Sequence, residues 1–125
     1  MILDTNAVSD LLAGNPALER VLTGSERHHL PVVVLGEYHY GIVRSRHRKS
    51  LGALLDRLQH ESHILYPDCD TARVYAVVRD ELRSAGTPIP ENDVWISALA
   101  RQHRLAIASL DRHFDCVKDI RRVSW

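Results

Sequence analysis

Two short stretches of the sequence crowd acids and amides against apolar segments. The stretch "MILDTN" ends an apolar run with Asp4, and "PENDVWISALA" places Asp93 directly before an apolar helical run. One acid or amide is enough to cap a helix, so this crowding raises the question of a second role for the carboxylates. Carboxylate oxygens are hard ligands that select hard cations, and Mg²⁺ or Mn²⁺ is the expected guest.

Four acids approach one edge of the predicted fold from widely separated places in the chain. Asp4 and Asp111 follow predicted strands, Glu37 follows "LPVVVLG", and Asp93 opens a predicted helix. Ligands of parallel sheets gather beyond the carboxyl ends of the strands. Two unit charges about 4 Å apart repel by about 4 kcal/mol at an effective dielectric of 20, so clustered acids need cations or take up protons. A divalent cation held there would suit phosphodiester cleavage, because it activates water and offsets charge on the phosphate.

Each acid taken alone also has an explanation that needs no metal. Asp4 or Asn6 fits the cap of a helix that begins near residue 7. Asn92 and Asp93 fit a helix cap and a first-turn acid favoured by the helix dipole. The other two acids fit a solvated helix position and a turn. Only the joint placement of the four favours a metal site.

Polar side chains beside the acids are candidates for secondary roles. Ser109 lies two residues before Asp111, where it either orients an acid or a water or is satisfied by the backbone. Ser97 lies one helical turn after Asp93 and fits helix packing better than a bond to the site. Asp115 fits a place near the metal or a surface charge. The predicted secondary polar residues are Thr5, Asn6, Ser109 and Asp115.

Short apolar strands that alternate with helices predict βαβ units and a parallel sheet. The predicted strands are "MIL", "LPVVV", "SHILY", "LAIAS" and "RRVSW". The clearest helix runs from Arg48 to His60 and carries leucines at helical spacing, Leu51, Leu54, Leu55 and Leu58. The other predicted helices are "AVSDLLAGN", "PALERVLTG", "GEYHYGIVR", a helix that Asp70 caps and Gly86 ends, and Asp93 to His103.

The composition predicts one domain over residues 1–125, with 45% hydrophobic residues and a sizeable core. No apolar run is long enough to span a bilayer, and "MILDTN" lacks the features of a signal peptide, so we expect a cytoplasmic protein. Cys69 and Cys116 are too few and too far apart for a disulfide framework, which fits a reducing compartment.

The formal net charge is zero, yet basic residues cluster in "RSRHRK". Lysine and arginine bind nucleic-acid backbones by displacing counterions, so this cluster is a candidate RNA contact. A solvated turn between two helices explains it equally well. The candidate RNA-binding residues are Arg44, Arg46, Arg48 and Lys49.

Three other chemistries find little support. His60, His63 and Cys69 lie near one another in sequence, but the chain has no Cys-x-x-Cys and no His-Glu-x-x-His, so structural zinc is not favoured. No Gly-x-Ser-x-Gly elbow indicates a serine hydrolase, and no glycine-rich phosphate loop indicates a nucleotide hydrolase.

Four segments together resemble the motifs of PIN-domain ribonucleases, and among these the VapC-type toxins. The segments are "LDTN", "VVVLGEYHYG", "IPENDVWISALA" and "IASLDRHFD", in the expected order over nearly the whole chain. Residue by residue, they carry the family's acids at Asp4, Glu37, Asp93 and Asp111. One departure is Ser109, where the family often has threonine, and the serine keeps the hydroxyl.

The resemblance implies a three-layer α/β/α sandwich with a central parallel sheet. It also implies Mg²⁺- or Mn²⁺-dependent endoribonuclease activity, with the four acids holding the metal and activating water. Family members form homodimers and are silenced by a cognate VapB-type antitoxin, whose arginine would mimic the cation. Two alternatives stay open: a housekeeping PIN nuclease without an antitoxin, and an RNA-binding module without chemistry.

Overall fold

Five short strands form the centre of the fold. The computed structural model describes residues 1–24 and 27–125 of the chain. The strands are β1 (Ile2–Leu3), β2 (His29–Pro31), β3 (His63–Leu65), β4 (Ile107–Ala108) and β5 (Arg122–Val123). They form one parallel sheet in the order β3-β2-β1-β4-β5. The prediction of a parallel sheet is confirmed.

Six α-helices connect these strands, and a 3₁₀ helix follows β4. The helices are α1 (Thr5–Leu12), α2 (Pro16–Leu22), α3 (Val32–Ile42), α4 (Arg48–Glu61), α5 (Cys69–Ser84) and α6 (Glu91–His103). The 3₁₀ helix spans Arg112–Cys116. This architecture is the α/β sandwich that the family resemblance implies.

The order in which the strands are added changes direction at β1, and this change determines where the site lies. From β1 the chain moves outward to β2 and β3, and then returns through α5 and α6 to β4 on the other side of β1. Parallel crossovers are right-handed, so a reversal of direction puts the helices before and after it on opposite faces of the sheet. The carboxyl ends of β1 and β4 therefore border the crevice in which open α/β sheets bind ligands.

The strands supply the middle of the core. Ile2, Leu3, Leu30, Ile107 and Ala108 are each 0% exposed. Strands that are buried on both faces read as continuous apolar runs, which is why even two- or three-residue strands were visible in the sequence. The sheet therefore gives rigid support to whatever follows the strand ends.

The strand predicted for "LPVVV" is wrong at its C-terminal end. Strand β2 stops at Pro31, whose extended backbone caps the N-terminus of α3. Val32 is 38% exposed whereas Val34 is 0% exposed, and the valines form the first turn of the helix. Proline has no N–H for a ladder but is tolerated where a helix begins, so it ends the strand earlier than the valines suggest.

Two other details of the helices differ from the sequence predictions. Leu54 is 39% exposed, whereas Leu55 and Leu58 of the same stripe are buried. Asp70 was expected to cap α5, but Asp68 does so. The Asp68 carboxylate accepts from the Thr71 N–H at 2.9 Å, and the Thr71 hydroxyl accepts from the Asp68 N–H at 2.9 Å. This reciprocal pair is a capping box, and it fixes the start of the helix two residues early.

The chain's two cysteines, Cys69 and Cys116, are unpaired, as the sequence predicted, and both are exposed. Among the described residues, no helix combines the length and the apolar character that crossing a membrane requires.

Candidate metal centre

Asp4 lies at the end of β1 and is only 5% exposed. It occupies the N-cap position of α1 but makes no side-chain capping hydrogen bond, so the capping explanation is wrong. Its Oδ2 instead accepts from the Ser109 hydroxyl at 2.7 Å and from the Asn6 amide at 3.1 Å. Ser109 follows β4, so these bonds join the carboxyl ends of the two strands that border the crevice.

Asn6 and Ser109 form the hydrogen-bonded floor of the site. The Asn6 amide donates to the Ser109 hydroxyl at 3.2 Å, and the Asn6 carbonyl accepts from the Leu110 N–H at 3.0 Å. The Ser109 hydroxyl also accepts from the Asp111 N–H at 3.0 Å. Asn6 therefore does not cap α1 but joins the end of β1 to the turn that carries Asp111.

Glu37 comes from the second turn of α3, and both of its carboxylate oxygens are held. The Thr5 hydroxyl donates to one oxygen at 2.7 Å, and the Asn92 amide donates to the other at 2.8 Å. Asn92 was expected to cap α6, but that helix begins at Glu91, after Pro90, without a side-chain cap. Its side chain serves the acid of another helix instead.

Asp93, Asp111 and His113 bring their ligand atoms within 4.8 Å of one another. Asp93 lies in the first turn of α6 and is 9% exposed. The His113 Nδ1 lies 3.2 Å from the Asp93 Oδ2 and 2.9 Å from the Asp111 Oδ1. The Asp111 Oδ1 also accepts from the His113 N–H at 2.9 Å, which caps the 3₁₀ helix. Asp111 is thus a turn residue as well as a member of the cluster.

The acids influence one another's protonation, which shows that their charges share one region. Burial raises the pKa of Asp4, the Ser109 hydroxyl and the Thr5 N–H oppose this, and the charges of Glu37 and Asp111 raise it further. Burial, together with the charges of Asp4 and Asp111, raises the pKa of Asp93 to about 6, against the opposing effect of His113. Ionising both Asp4 and Asp93 in the absence of a cation is therefore costly.

The donor set fits a hard divalent cation. Among the described residues, no lysine or arginine forms an ion pair with any of the four acids. His113 contacts Asp93 and Asp111, and the charge of Asp111 is one of the causes that raise the pKa of Arg122. Oxygen-rich, negatively charged pockets of this kind suit Mg²⁺ or Mn²⁺. The residues that would hold the cation are Asp4, Glu37, Asp93 and Asp111.

Asp115 and Ser97, which the sequence analysis considered as neighbours of the site, form no hydrogen bond with the four acids within the described chain. Arg122 grips Asp115 with both ends of its guanidinium at 2.8 and 2.9 Å, and it holds the pKa of that carboxyl below its usual value. Arg122 also donates to the Ser109 carbonyl at 3.0 Å, so the pair braces β4 from outside the cluster. Ser97 is fully buried, and its hydroxyl has no hydrogen-bond partner among the described residues, which leaves it a packing role.

The zinc alternative is not favoured by the positions of its candidate ligands. His63 stacks on His29, with ring centroids 5.3 Å apart. Within residues 1–24 and 27–125, the single group of three or more potential metal ligands is Asp93, Asp111 and His113. His60, His63 and Cys69 do not form such a group.

The basic cluster lies on the turn between α3 and α4 and in the first turn of α4. Its four basic side chains are exposed and form no ion pair within the described parts of the chain. Arg48 and Lys49 open a helix that has no side-chain cap, where the helix dipole disfavours cations and attracts anions. This arrangement leaves the cluster free to bind phosphate.

His113 and Arg122 were not identified from the sequence. The only local signal for His113 was its position two residues after Asp111, which has no established meaning in a single sequence. Arg122 was predicted only as part of the terminal strand "RRVSW". Nothing in that stretch indicated its contact with Asp115.

Known proteins resemble the chain along most of its length. The family model described as "PIN domain" matches residues 1–120. The chain is 30% identical over 122 residues to "Toxin FitB" of Neisseria gonorrhoeae, which covers 89% of this chain and 87% of that protein. It is 29% identical over 91 residues to "Ribonuclease VapC4" of Mycobacterium tuberculosis, which covers 71% of this chain and 70% of that protein.

A solved structure matches the fold closely. The structure of VapBC2 from Rickettsia felis, bound to a DNA fragment from its promoter, aligns with a TM-score of 0.88 at 20% identity. The alignment covers 99% of this chain and 97% of that one. At this identity the likeness bears on the fold alone, and it agrees with the sheet order and helices described above.

Proposed function

The chain belongs to the PIN-domain family, and from this premise we propose that it is a metal-dependent endoribonuclease and the toxin of a VapBC-type toxin–antitoxin pair. Two relatives carry the names toxin and ribonuclease, which supports both halves of the proposal. The proposal places the protein in the cytoplasm, acting as one PIN domain over residues 1–125.

One observation carries the proposal: acids from four separate segments converge at the crevice between β1 and β4. Burial and mutual repulsion raise the pKa of both Asp4 and Asp93, so the pocket holds more negative charge than the fold alone would favour. Proteins tolerate such arrangements at sites where a function requires them. A divalent cation bound there would offset the negative charge and so relieve the repulsion between the carboxylates.

The chain's own residues prepare the pocket for phosphodiester hydrolysis. Asp4, Glu37, Asp93 and Asp111 would hold Mg²⁺ or Mn²⁺, which when bound would activate water and stabilise charge on the phosphate. Thr5 and Asn92 fix both oxygens of Glu37, and Asn6 and Ser109 fix one oxygen of Asp4. Such bonds orient ligands before the cation and the RNA arrive, which lowers the cost of binding.

The proposed partners are an RNA substrate, a second copy of this chain and a VapB-type antitoxin. The pocket's uncompensated acids would accept a guanidinium, which binds carboxylates with two parallel hydrogen bonds. An antitoxin arginine inserted there would neutralise the charge that the cation neutralises, and it would exclude both metal and RNA.

Expression of the wild-type chain from an inducible promoter tests the proposal. We expect growth to stop, RNA 5′ ends to accumulate at defined sites, and growth to resume when the neighbouring small gene product is co-expressed. Asp4→Ala should produce neither the arrest nor the new 5′ ends. Defined cleavage without growth arrest would indicate a housekeeping nuclease, and an absence of metal-dependent cleavage by purified protein would contradict the enzymatic assignment.

Neutralising the basic cluster is expected to weaken RNA binding about tenfold at low salt. Each phosphate contact contributes about 0.7 to the slope of log K against log salt for single strands, so the triple variant should flatten the slope by up to about 2. Fluorescence anisotropy across a salt series measures both effects. The variant carries Arg46→Gln, Arg48→Gln and Lys49→Gln.

A control variant removes the same charge from other exposed positions. It carries Arg57→Gln, Arg73→Gln and Arg83→Gln, which lie on α4 and α5 outside the cluster. An equal loss of salt dependence in both variants would mean that net charge matters and the cluster does not.

A further inference from the structure

Among the described residues, His113 is the imidazole that joins the acids in a group of potential metal ligands. It lies in the 3₁₀ helix, two residues after Asp111, and its Nδ1 faces two carboxylates at once. The Nδ1 lies 2.9 Å from the Asp111 Oδ1 and 3.2 Å from the Asp93 Oδ2. These three atoms form a group of potential metal ligands, in which His113 joins the two predicted acids Asp93 and Asp111.

The two separations from Nδ1 match those of neighbouring ligands on one small divalent cation. Metal–ligand distances of about 2.1 Å in octahedral geometry put adjacent ligand atoms about 3 Å apart. A proton on Nδ1 points in one direction, so it can form a well-directed hydrogen bond with only one of the two carboxylates. A lone pair directed at a shared cation suits both carboxylates together, and the two observed separations bracket the octahedral value.

The ring is held in this position by its surroundings. The His113 N–H donates to Asp111 at 2.9 Å, and the next residue, Phe114, is 1% exposed and anchors the 3₁₀ helix in the core. At the far end of the helix, Arg122 grips Asp115. The His113 side chain is itself 48% exposed, so its other nitrogen can remain in water with the proton.

We propose that His113 ligates the cation through Nδ1 and that this nitrogen makes the site select Mn²⁺ over Mg²⁺. The inference rests on the proposed function, since it concerns the same metal site. Mg²⁺ favours oxygen ligands and keeps its waters, whereas imidazole is a good ligand for transition metals. One imidazole among carboxylates therefore strengthens Mn²⁺ binding more than Mg²⁺ binding.

Pulsed electron paramagnetic resonance of the Mn²⁺-loaded protein tests the ligand directly. Wild type should show ¹⁴N modulation from a bound imidazole, and His113→Gln should lack it. By calorimetry, His113→Gln should weaken Mn²⁺ binding about 10- to 100-fold and Mg²⁺ binding by less than about threefold. His60→Gln, at an exposed position near the end of α4, should leave both the modulation and the affinities unchanged.

The outcomes separate this inference from the proposed function. If Mn²⁺ binds without ¹⁴N modulation, His113 is not a ligand, while the acids still hold the metal. If His113→Gln weakens Mn²⁺ and Mg²⁺ equally, the selectivity is wrong. If neither cation binds wild type, both proposals fall. Circular dichroism and thermal unfolding in EDTA establish that the His113→Gln variant folds before it is compared.

Discussion

Replacing Asp93 with asparagine is expected to lower RNA cleavage by at least about 10³-fold at saturating RNA and metal, while the chain stays folded. Asparagine keeps the size of the side chain and can still hydrogen-bond His113, which lies 3.2 Å away. The substitution removes a negative charge that would help to hold the cation and to offset the cation's positive charge. Single-turnover cleavage of a labelled RNA, with metal varied, measures the loss.

Glu91→Gln is the matched control for this prediction. Glu91 lies in the same first turn of α6, but its carboxylate faces Tyr75 and Arg79 rather than the pocket. It should cleave at nearly the wild-type rate. Full activity of Asp93→Asn in a metal-controlled assay would remove Asp93 from the site, and equal losses in both variants would point to damage to the helix start.

The second prediction concerns stability without metal: in EDTA at pH 8, Asp93→Asn is expected to raise the free energy of unfolding by about 2–3 kcal/mol. The folded-state pKa of Asp93 is about 6, raised from 3.8 by burial and by Asp4 and Asp111. His113 is the opposing group, since its hydrogen bond and charge lower that pKa. Above pH 6 the folded chain must therefore carry an ionised carboxylate that the unfolded chain carries more easily.

The sign follows from proton binding. Between pH 3.8 and about 6 the folded chain binds the Asp93 proton and the unfolded chain does not, so stability falls as pH rises through this window. Urea unfolding at pH 4 should show little difference between wild type and Asp93→Asn. Saturating Mn²⁺ at pH 8 should reverse the order by stabilising wild type. Asp70→Asn, which removes an exposed acid that pairs with Arg73, is the control and should not gain stability at pH 8 in EDTA. A less stable Asp93→Asn at pH 8 in EDTA would contradict the electrostatic account.

The sequence predicted the sheet and helices well because the two leave different patterns. Strands buried on both faces read as continuous apolar runs, whereas amphipathic helices carry apolar residues three or four positions apart. The prediction failed at "LPVVV", where a β-branched apolar run fits a buried strand and a buried helix start equally. Pro31 decided the matter by ending β2, and the valines joined α3. The error misplaced the start of α3, although the predicted helix "GEYHYGIVR" had already assigned Glu37 to that helix.

Four acids could be chosen from the sequence because each stands beside a strand end or a helix start. Their supporting partners could not, since the choice depends on which distant segments meet. Asn92 was expected to cap its own helix, but the pocket places Glu37 within 2.8 Å of its amide. The role of His113 could not be predicted, because it depends on the 3₁₀ helix that places its ring next to Asp93.

The hydrogen bonds between Asn6, Ser109 and Leu110 join residues from early and late in the chain. During translation, Asn6 emerges from the ribosome long before Ser109 does. Until Ser109 is in place, Asp4 lacks the hydroxyl that orients it in the folded protein. A chain that has not yet reached Ser109 also lacks Asp111, so it carries at most three of the four acids and cannot assemble the complete pocket. Restraint by a partner is needed only once the polypeptide is nearly complete.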